Sequence, residues 1–293
     1  MMSILFFIGL LVASIRPATS VNIANFSTPE IRARAYALNY QAVNIGFCLG
    51  SAIGGLLITS SYSWLFIADG FTNIIAGIAF WAFFRNKITE KTCKQMPSVQ
   101  NGLSPWANKP FLILLSLVLL IGMCFFLISN VYPLYLKENY HLSEIRIGFV
   151  LALNGLLIIL FQMQITSWLK NFKSLQIIGI GGLIVTTGYF ILPFYHGFYY
   201  AVLSMTLITL GEMVAIPFTY HYVIQIAPAS MRGKYQGLVS CTLMSLPLAL
   251  TPNIASYAYT TVGANPLWLS VGLIGLVIFI GFLALNRIEP NPN

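Results

Sequence analysis

The sequence predicts an all-α polytopic membrane protein, built as two helical bundles with about nine transmembrane helices. Three observations predict it. Hydrophobic residues make up 58% of the 293 residues and charged residues 8%, against roughly 25% charged in an ordinary globular domain. A soluble chain of this size would have to coat its surface with Leu, Ile and Phe, and the mean hydropathy of +0.82 agrees. Second, the apolar residues come in spaced blocks. Backbone in hydrocarbon must be paired internally, which leaves helices or closed barrels, and barrel strands would alternate polar and apolar residues. Third, two stretches of the chain repeat a common pattern 200 positions apart.

Nine blocks reach the length of about 20 residues needed to cross a bilayer. They lie at about 4–25, 36–57, 64–84, 110–132, 147–167, 174–193, 198–225, 236–257 and 267–286. The first ends in small residues like a signal peptide. It lacks a basic start, however, and Arg16-Pro17 follow without a polar break, so it reads as a span. The lysine-bearing stretch 86–109 reads as a cytoplasmic linker between an incomplete N-terminal bundle, 1–85, and a six-helix C-terminal bundle, 110–293. Cys48, Cys93, Cys124 and Cys241 have no metal-ligand spacing and read as packing residues. Tyr132, Tyr135, Tyr199, Tyr200 and Trp268 fall near block ends, where interfacial aromatic anchors are expected.

Basic residues set the orientation. Alternate connections carry twelve of them: Arg32 and Arg34, then Arg85, Lys87, Lys91, Lys94 and Lys109, then Lys170 and Lys173, Arg232 and Lys234, and Arg287. The opposite connections hold only Lys137 and Arg146. The positive-inside rule then places the C-terminus in the cytoplasm and, with nine spans, the N-terminus of this chain outside. The formal charge of +8 is accounted for by these loops and calls for no nucleic acid.

The repeat pairs Pro17 with Pro217, Arg32 with Arg232, Arg34 with Lys234 and Leu38 with Leu238. Both copies place a proline inside a span, followed by a short loop that opens with proline and closes with basic residues. A parallel repeat implies two similar bundles related by an axis along the membrane normal. Counting back from residue 110, the partner of the second half would begin about 90 residues before Met1, which predicts three further spans upstream.

Gly46-Phe-Cys-Leu-Gly50-Ser51-Ala-Ile-Gly54-Gly55 resembles the fifth-helix antiporter motif of the major facilitator superfamily, with Ser51 at the usual proline and Ala37 at the upstream glycine. Trp64-Leu65-Phe66 resembles that family's start to the sixth helix. Gly211 to Pro217 with Ile226 to Gly237 resembles its tenth helix and the following loop. The chain is similar throughout to the family's fourth to twelfth helices, and specifically to the drug-efflux-like, proton-coupled branch. The stretch SWLKNFKSLQ keeps Lys170 and Lys173 of the family's basic loop signature but lacks its glycine and aspartate. The resemblance implies a secondary transporter that works by alternating access in a bacterial inner (plasma) membrane, carries a small solute with protons, and acts as a monomer without cofactor or metal.

Among candidate transport residues, Glu212 stands first. A carboxylate near the middle of a long span is costly at that depth and marks a pathway or a partner. Proton coupling, recognition of a cationic solute and a structural hydrogen-bonded acid are the three readings. Arg16, also within a span, reads as a substrate-facing or paired charge. His221 lies nine residues beyond Glu212, about two and a half turns, and reads as a structural or interfacial histidine. Asp69 reads as a membrane-edge acid or a pathway residue. Asn44, with Gln41, Asn130, Asn154, Gln162 and Gln164, either lines a cavity or joins helices, which the sequence leaves open. Gly46, Gly50, Ser51, Gly54 and Gly55 form a small-residue face for helix packing or gating, and Pro17 and Pro217 are bends. Arg32, Arg34, Arg232 and Lys234 belong to the cytoplasmic loops.

No hydrolase, zinc-protease or phosphate-loop motif occurs, and the isolated acids form no obvious catalytic pair, so an enzyme is not expected. The competing expectations are a truncated or degenerate carrier that moves nothing and, after that, a uniporter or channel.

Overall fold

The computed structural model describes residues 15, 18–60, 62–92 and 104–288. Arg16, Pro17 and most of the first expected span lie outside the described residues. Those described are helical, with no strand among them. Residues 18–26 form the described part of α1. The order continues with α2 (Pro29–Ser60), α3 (Tyr62–Thr92), α4 (Lys109–Phe126), α5 (Val131–Glu138), α6 (Glu144–Leu169) and α7 (Ser174–Phe190). It closes with α8 (Phe198–Ile226), α9 (Arg232–Ser240), α10 (Leu246–Thr261) and α11 (Ala264–Ile288). Among the described residues six helical stretches are long and apolar enough to cross a membrane, and α7 is a shorter apolar helix. The chain is an integral membrane protein.

Two compact units are present: Met1–Gln41 with Gly102–Asn293, and Ala42–Asn101. In the smaller unit, α3 continues to Thr92, so part of the stretch expected to be linker is helical.

Local chemistry explains the element ends in the larger unit. Asn108 caps α4, its side chain accepting from Phe111 N at 3.1 Å, with Pro110 in the first turn. The expected span 110–132 breaks at Asn130, where the backbone leaves helical geometry (φ −118°, ψ −91°) between a 3-10 turn and α5. The Asn130 side chain donates to the Phe126 carbonyl at 2.7 Å, satisfying a group that the break exposes. The expected span 236–257 is longer than predicted. It comprises α9, a π-helical turn Cys241–Ser245, and α10. The extra residue of that turn pushes the Leu243 carbonyl towards α4, and only the missing side chain of Gly122 makes room for it. Cys241, expected to pack, is exposed on this turn, whereas Cys124 is buried. Gly263 adopts φ +101° and donates to Ala258 O at 3.2 Å, the left-handed helix end that glycine reaches without strain.

Helix α7 is the centre of the packing. Gly181 and Gly188 abut α8, where a side chain would meet the backbone of Gly211, Ala215 and Ser204. Gly179 and Gly182 face Phe282 and Ile278 of α11. Lipid tails are as apolar as leucine, so helices associate in a membrane through close van der Waals contact, which these glycines permit. The expected glycine face instead lay on α2. There Gly46 has open space where a side chain would point, and Gly50, Ser51, Gly54 and Gly55 are helical residues.

The aromatic residues require a correction. Tyr132, Tyr135 and Trp268, expected as interfacial anchors, are completely buried. Trp268 stacks on Tyr189 at 5.4 Å with 7° between planes, and Tyr135 meets its edge at 5.3 Å. Position near a block end does not reveal which way a ring turns, and here the rings turn inward. Tyr199 is 86% exposed.

Candidate functional site

Pro217 creates the local conditions for the site. It lies inside α8 and has no N–H, so the carbonyl one turn earlier, at Met213, loses its helical partner. In a membrane that carbonyl must be satisfied by a neighbour. Gln162 of α6 does so, its Nε2 donating to Met213 O at 2.9 Å and to Thr166 Oγ1 at 3.1 Å. Asn154, Ile158, Gln162 and Thr166 recur every fourth residue and so share one side of α6. Two of their side chains, Asn154 and Gln162, each donate a hydrogen bond to α8. Gln164, which the sequence could not separate from Gln162, is exposed.

Glu212, adjacent to Met213, is 2% exposed. Asn154 Nδ2 donates to its Oε2 at 2.7 Å and to Thr209 Oγ1 at 3.1 Å. The Tyr40 hydroxyl of α2 donates to Oε1. The adjacent Gln41 side chain donates to the Ile159 carbonyl of α6. The acid therefore ties three helices together at the middle of the bundle. Gly211 beside it turns the other way, against Gly181 and Val185 of α7. The sequence offered Glu212, Gln41 and Asn154 but not Tyr40. A tyrosine inside an apolar block reads as packing until its hydroxyl is placed.

Both partners of the Glu212 carboxylate are neutral. A buried charge is costly unless it is paired or hydrogen-bonded on all sides. Two donors reduce that cost, and a proton or a cation would remove the rest. No cluster of His, Cys, Asp and Glu able to hold a metal occurs among the described residues.

The remaining candidates lie elsewhere. His221 is 8% exposed near the end of α8 and pairs with Gln225 at 3.1 Å, not with Glu212. Asp69, in the smaller unit, is exposed within α3, and Asn73 Nδ2 donates to its Oδ1 at 3.2 Å. Asn44 is a half-buried residue of α2. Arg32 Nη2 donates to the carbonyls of Ala24 (3.3 Å) and Ser27 (3.4 Å), closing the end of α1. Arg34 and Lys170 line a small cleft with Glu30 and Thr166, and Lys234 lines another with Trp106.

The major facilitator superfamily model matches residues 1–252. The chain belongs to that superfamily. It is 21% identical over 248 residues to a Na(+), Li(+), K(+)/H(+) antiporter of Planococcus maritimus, covering 75% of this chain and 58% of that protein. It is 24% identical over 278 residues to the quinolone resistance protein NorA of Staphylococcus aureus (strain N315), covering 93% and 70%. An uncharacterized MFS-type transporter of Bacillus subtilis, YttB, is 26% identical over 216 residues, of which this chain spans 54% of the length. The chain thus spans little more than half the length of two of these relatives. The human organic anion transporter MFSD10 shares the fold, with a TM-score of 0.65 at 16% identity over 91% of this chain and 67% of that one. The superfamily is one of transporters, not enzymes.

Proposed function

We propose that the chain is the main part of a proton-coupled carrier that exports a small cationic or amphipathic solute by alternating access, with Glu212 as the group that exchanges a proton for the solute. The observation that carries this reading is the clamp on Glu212: a buried acid with two neutral partners on two different helices. Protonation discharges the acid and weakens both hydrogen bonds, which lets α2 and α6 separate from α8. Loss of the proton restores the negative charge, which draws the donors back or takes a cation in the proton's place. The antiporter and drug-resistance relatives supply the solute class. Residues 1–85 form the partial N-terminal bundle in this reading, 86–109 the linker and 110–293 the C-terminal bundle. The basic loops and C-terminus lie in the cytoplasm, and the chain acts as a monomer in the bilayer.

The test is Glu212→Gln in reconstituted vesicles with an imposed pH gradient. Glutamine keeps the shape and the acceptor from Tyr40 but cannot titrate. Solute flux that follows the gradient in the unaltered chain is expected to lose that dependence, with the amount of folded protein unchanged. Unaltered flux and unaltered pH dependence overturn the role. No flux from the unaltered chain itself favours the second reading, a carrier segment inactive alone, which the short coverage of the relatives supports.

A further inference from the structure

Arg32 and Arg232, equivalent positions in the repeat, come together at the end of the larger unit that carries the basic loops. Two contacts, both to Tyr220, fix this. Tyr36, one turn after Arg32, stacks on Tyr220 with ring centroids 6.3 Å apart. Gln236, one turn after Arg232, donates to the Tyr220 carbonyl at 3.0 Å. His221 is the next residue. Burial, and after it the Arg232 charge, holds the Arg32 guanidinium below the usual arginine range.

Like charges brought together need a counter-charge, and among the described residues Glu30 supplies only part of one. Glu30, on the same helix as Arg32, is exposed, and its attraction is the weakest of the influences on the Arg32 guanidinium. Arg32 Nε, Arg232 Nε and His221 Nδ1 are all buried without a hydrogen-bond partner. Gln225 Nε2 is a donor, so the His221 Nε2 it faces accepts, and the ring proton sits on Nδ1. Three buried N–H groups thus lack an acceptor, although such groups are nearly always satisfied. Helix α9 also begins at Arg232 with no side-chain cap, which puts the positive end of its dipole beside that residue.

We propose that Arg32, Arg232 and His221 form a binding site for a phosphate group, either the headgroup of an acidic phospholipid or free phosphate. Two guanidinium groups suit an anion with several oxygens better than a single carboxylate, because each can donate to a different oxygen. The site is separate from the Glu212 clamp and does not depend on its function.

The experiment uses the full chain purified in maltoside micelles, with two titrations followed by thermal unfolding at constant ionic strength. One probe is inorganic phosphate and the other is dioctanoyl phosphatidylglycerol. At least one should raise the melting temperature saturably, and the tighter of the two identifies the source. Arg232→Gln should weaken that probe about tenfold, as expected for one lost charge-assisted hydrogen bond. His221→Phe, which keeps a ring in place, should weaken it severalfold and serves if Arg232→Gln fails to fold. Lys234→Gln, which removes an exposed charge two residues away, should leave it unchanged. Absence of saturable binding by either probe overturns the site. So does an equal loss in Lys234→Gln and Arg232→Gln, which marks general attraction to a basic surface.

Discussion

The two ends of the larger unit are held by opposite means. At one end, Tyr132, Tyr135, Tyr189 and Trp268 form a dry stack, and its rim is tied by Tyr135 to Asn265 (3.0 Å) and by Tyr259 to Glu138 (2.8 Å). At the other, Arg32 and Arg232 share a site with buried donors left open. Ring stacking depends on area and contact and leaves little room for a ligand. Like charges held together depend on whatever offsets their repulsion. The ends therefore differ in charge and not in satisfaction, since the Tyr189 hydroxyl and Trp268 Nε1 are also buried without a hydrogen-bond partner. Between the two ends, Glu212 is clamped by hydrogen bonds from Tyr40 and Asn154. A carrier needs both kinds of element, firm packing to move as a body and polar contacts weak enough to exchange.

The comparison can be broken most severely at the seam that joins the two ends. Gly211→Leu would drive a side chain into the Gly181 carbonyl and the Val185 backbone, and neither can yield as a flexible side chain would. A loss of 3 kcal/mol or more is expected, read as disappearance of monodisperse protein from detergent extracts. Retention of a normal melting temperature would mean that α7 and α8 are not so close.

Trp268→Ala tests the aromatic end. It removes the ring on which Tyr189 stacks and leaves a cavity, with an expected cost of about 3–5 kcal/mol. Thermal unfolding of the purified protein measures it, and the smaller change expected for Trp268→Phe separates loss of stacking from loss of volume. The smallest effect belongs to Tyr199→Ala. Its ring is 86% exposed and touches the core little, so stability should shift by no more than about 0.5 kcal/mol. Equal losses at Trp268 and Tyr199 would erase the distinction between a buried stack and a surface anchor.

The membrane class was legible because composition alone excludes a water-soluble surface, and the family was legible because motif spacing survives substitution. Within the site, Glu212 was legible for a single reason: a carboxylate deep in an apolar block must have a purpose. Its partners were only partly so. Asn154 and Gln162 stood among several polar residues of similar depth, and Gln164 differs from Gln162 only by the turn of the helix. Tyr40 gave no signal, because a tyrosine serves equally as an apolar body or a donor. The glycines of α7 were likewise passed over in favour of the α2 glycines, which matched a motif.

By itself the sequence determined that this chain lives in lipid, that its helices follow one another in a known order, and that a titratable acid sits at depth. Those properties follow from local quantities: the apolar length of a segment, the placement of charges, and the position of a proline. The tertiary structure decided which side of each helix faces inward, and with it everything that depends on two helices meeting. Only in the folded chain does Gln162 satisfy the carbonyl that Pro217 frees, and only there do the helices carrying the two arginines of the repeat meet at Tyr220. Pairings of this kind join residues far apart in the chain, as Tyr40 is from Glu212. They are fixed by helix rotation and close backbone approach, which no single segment encodes.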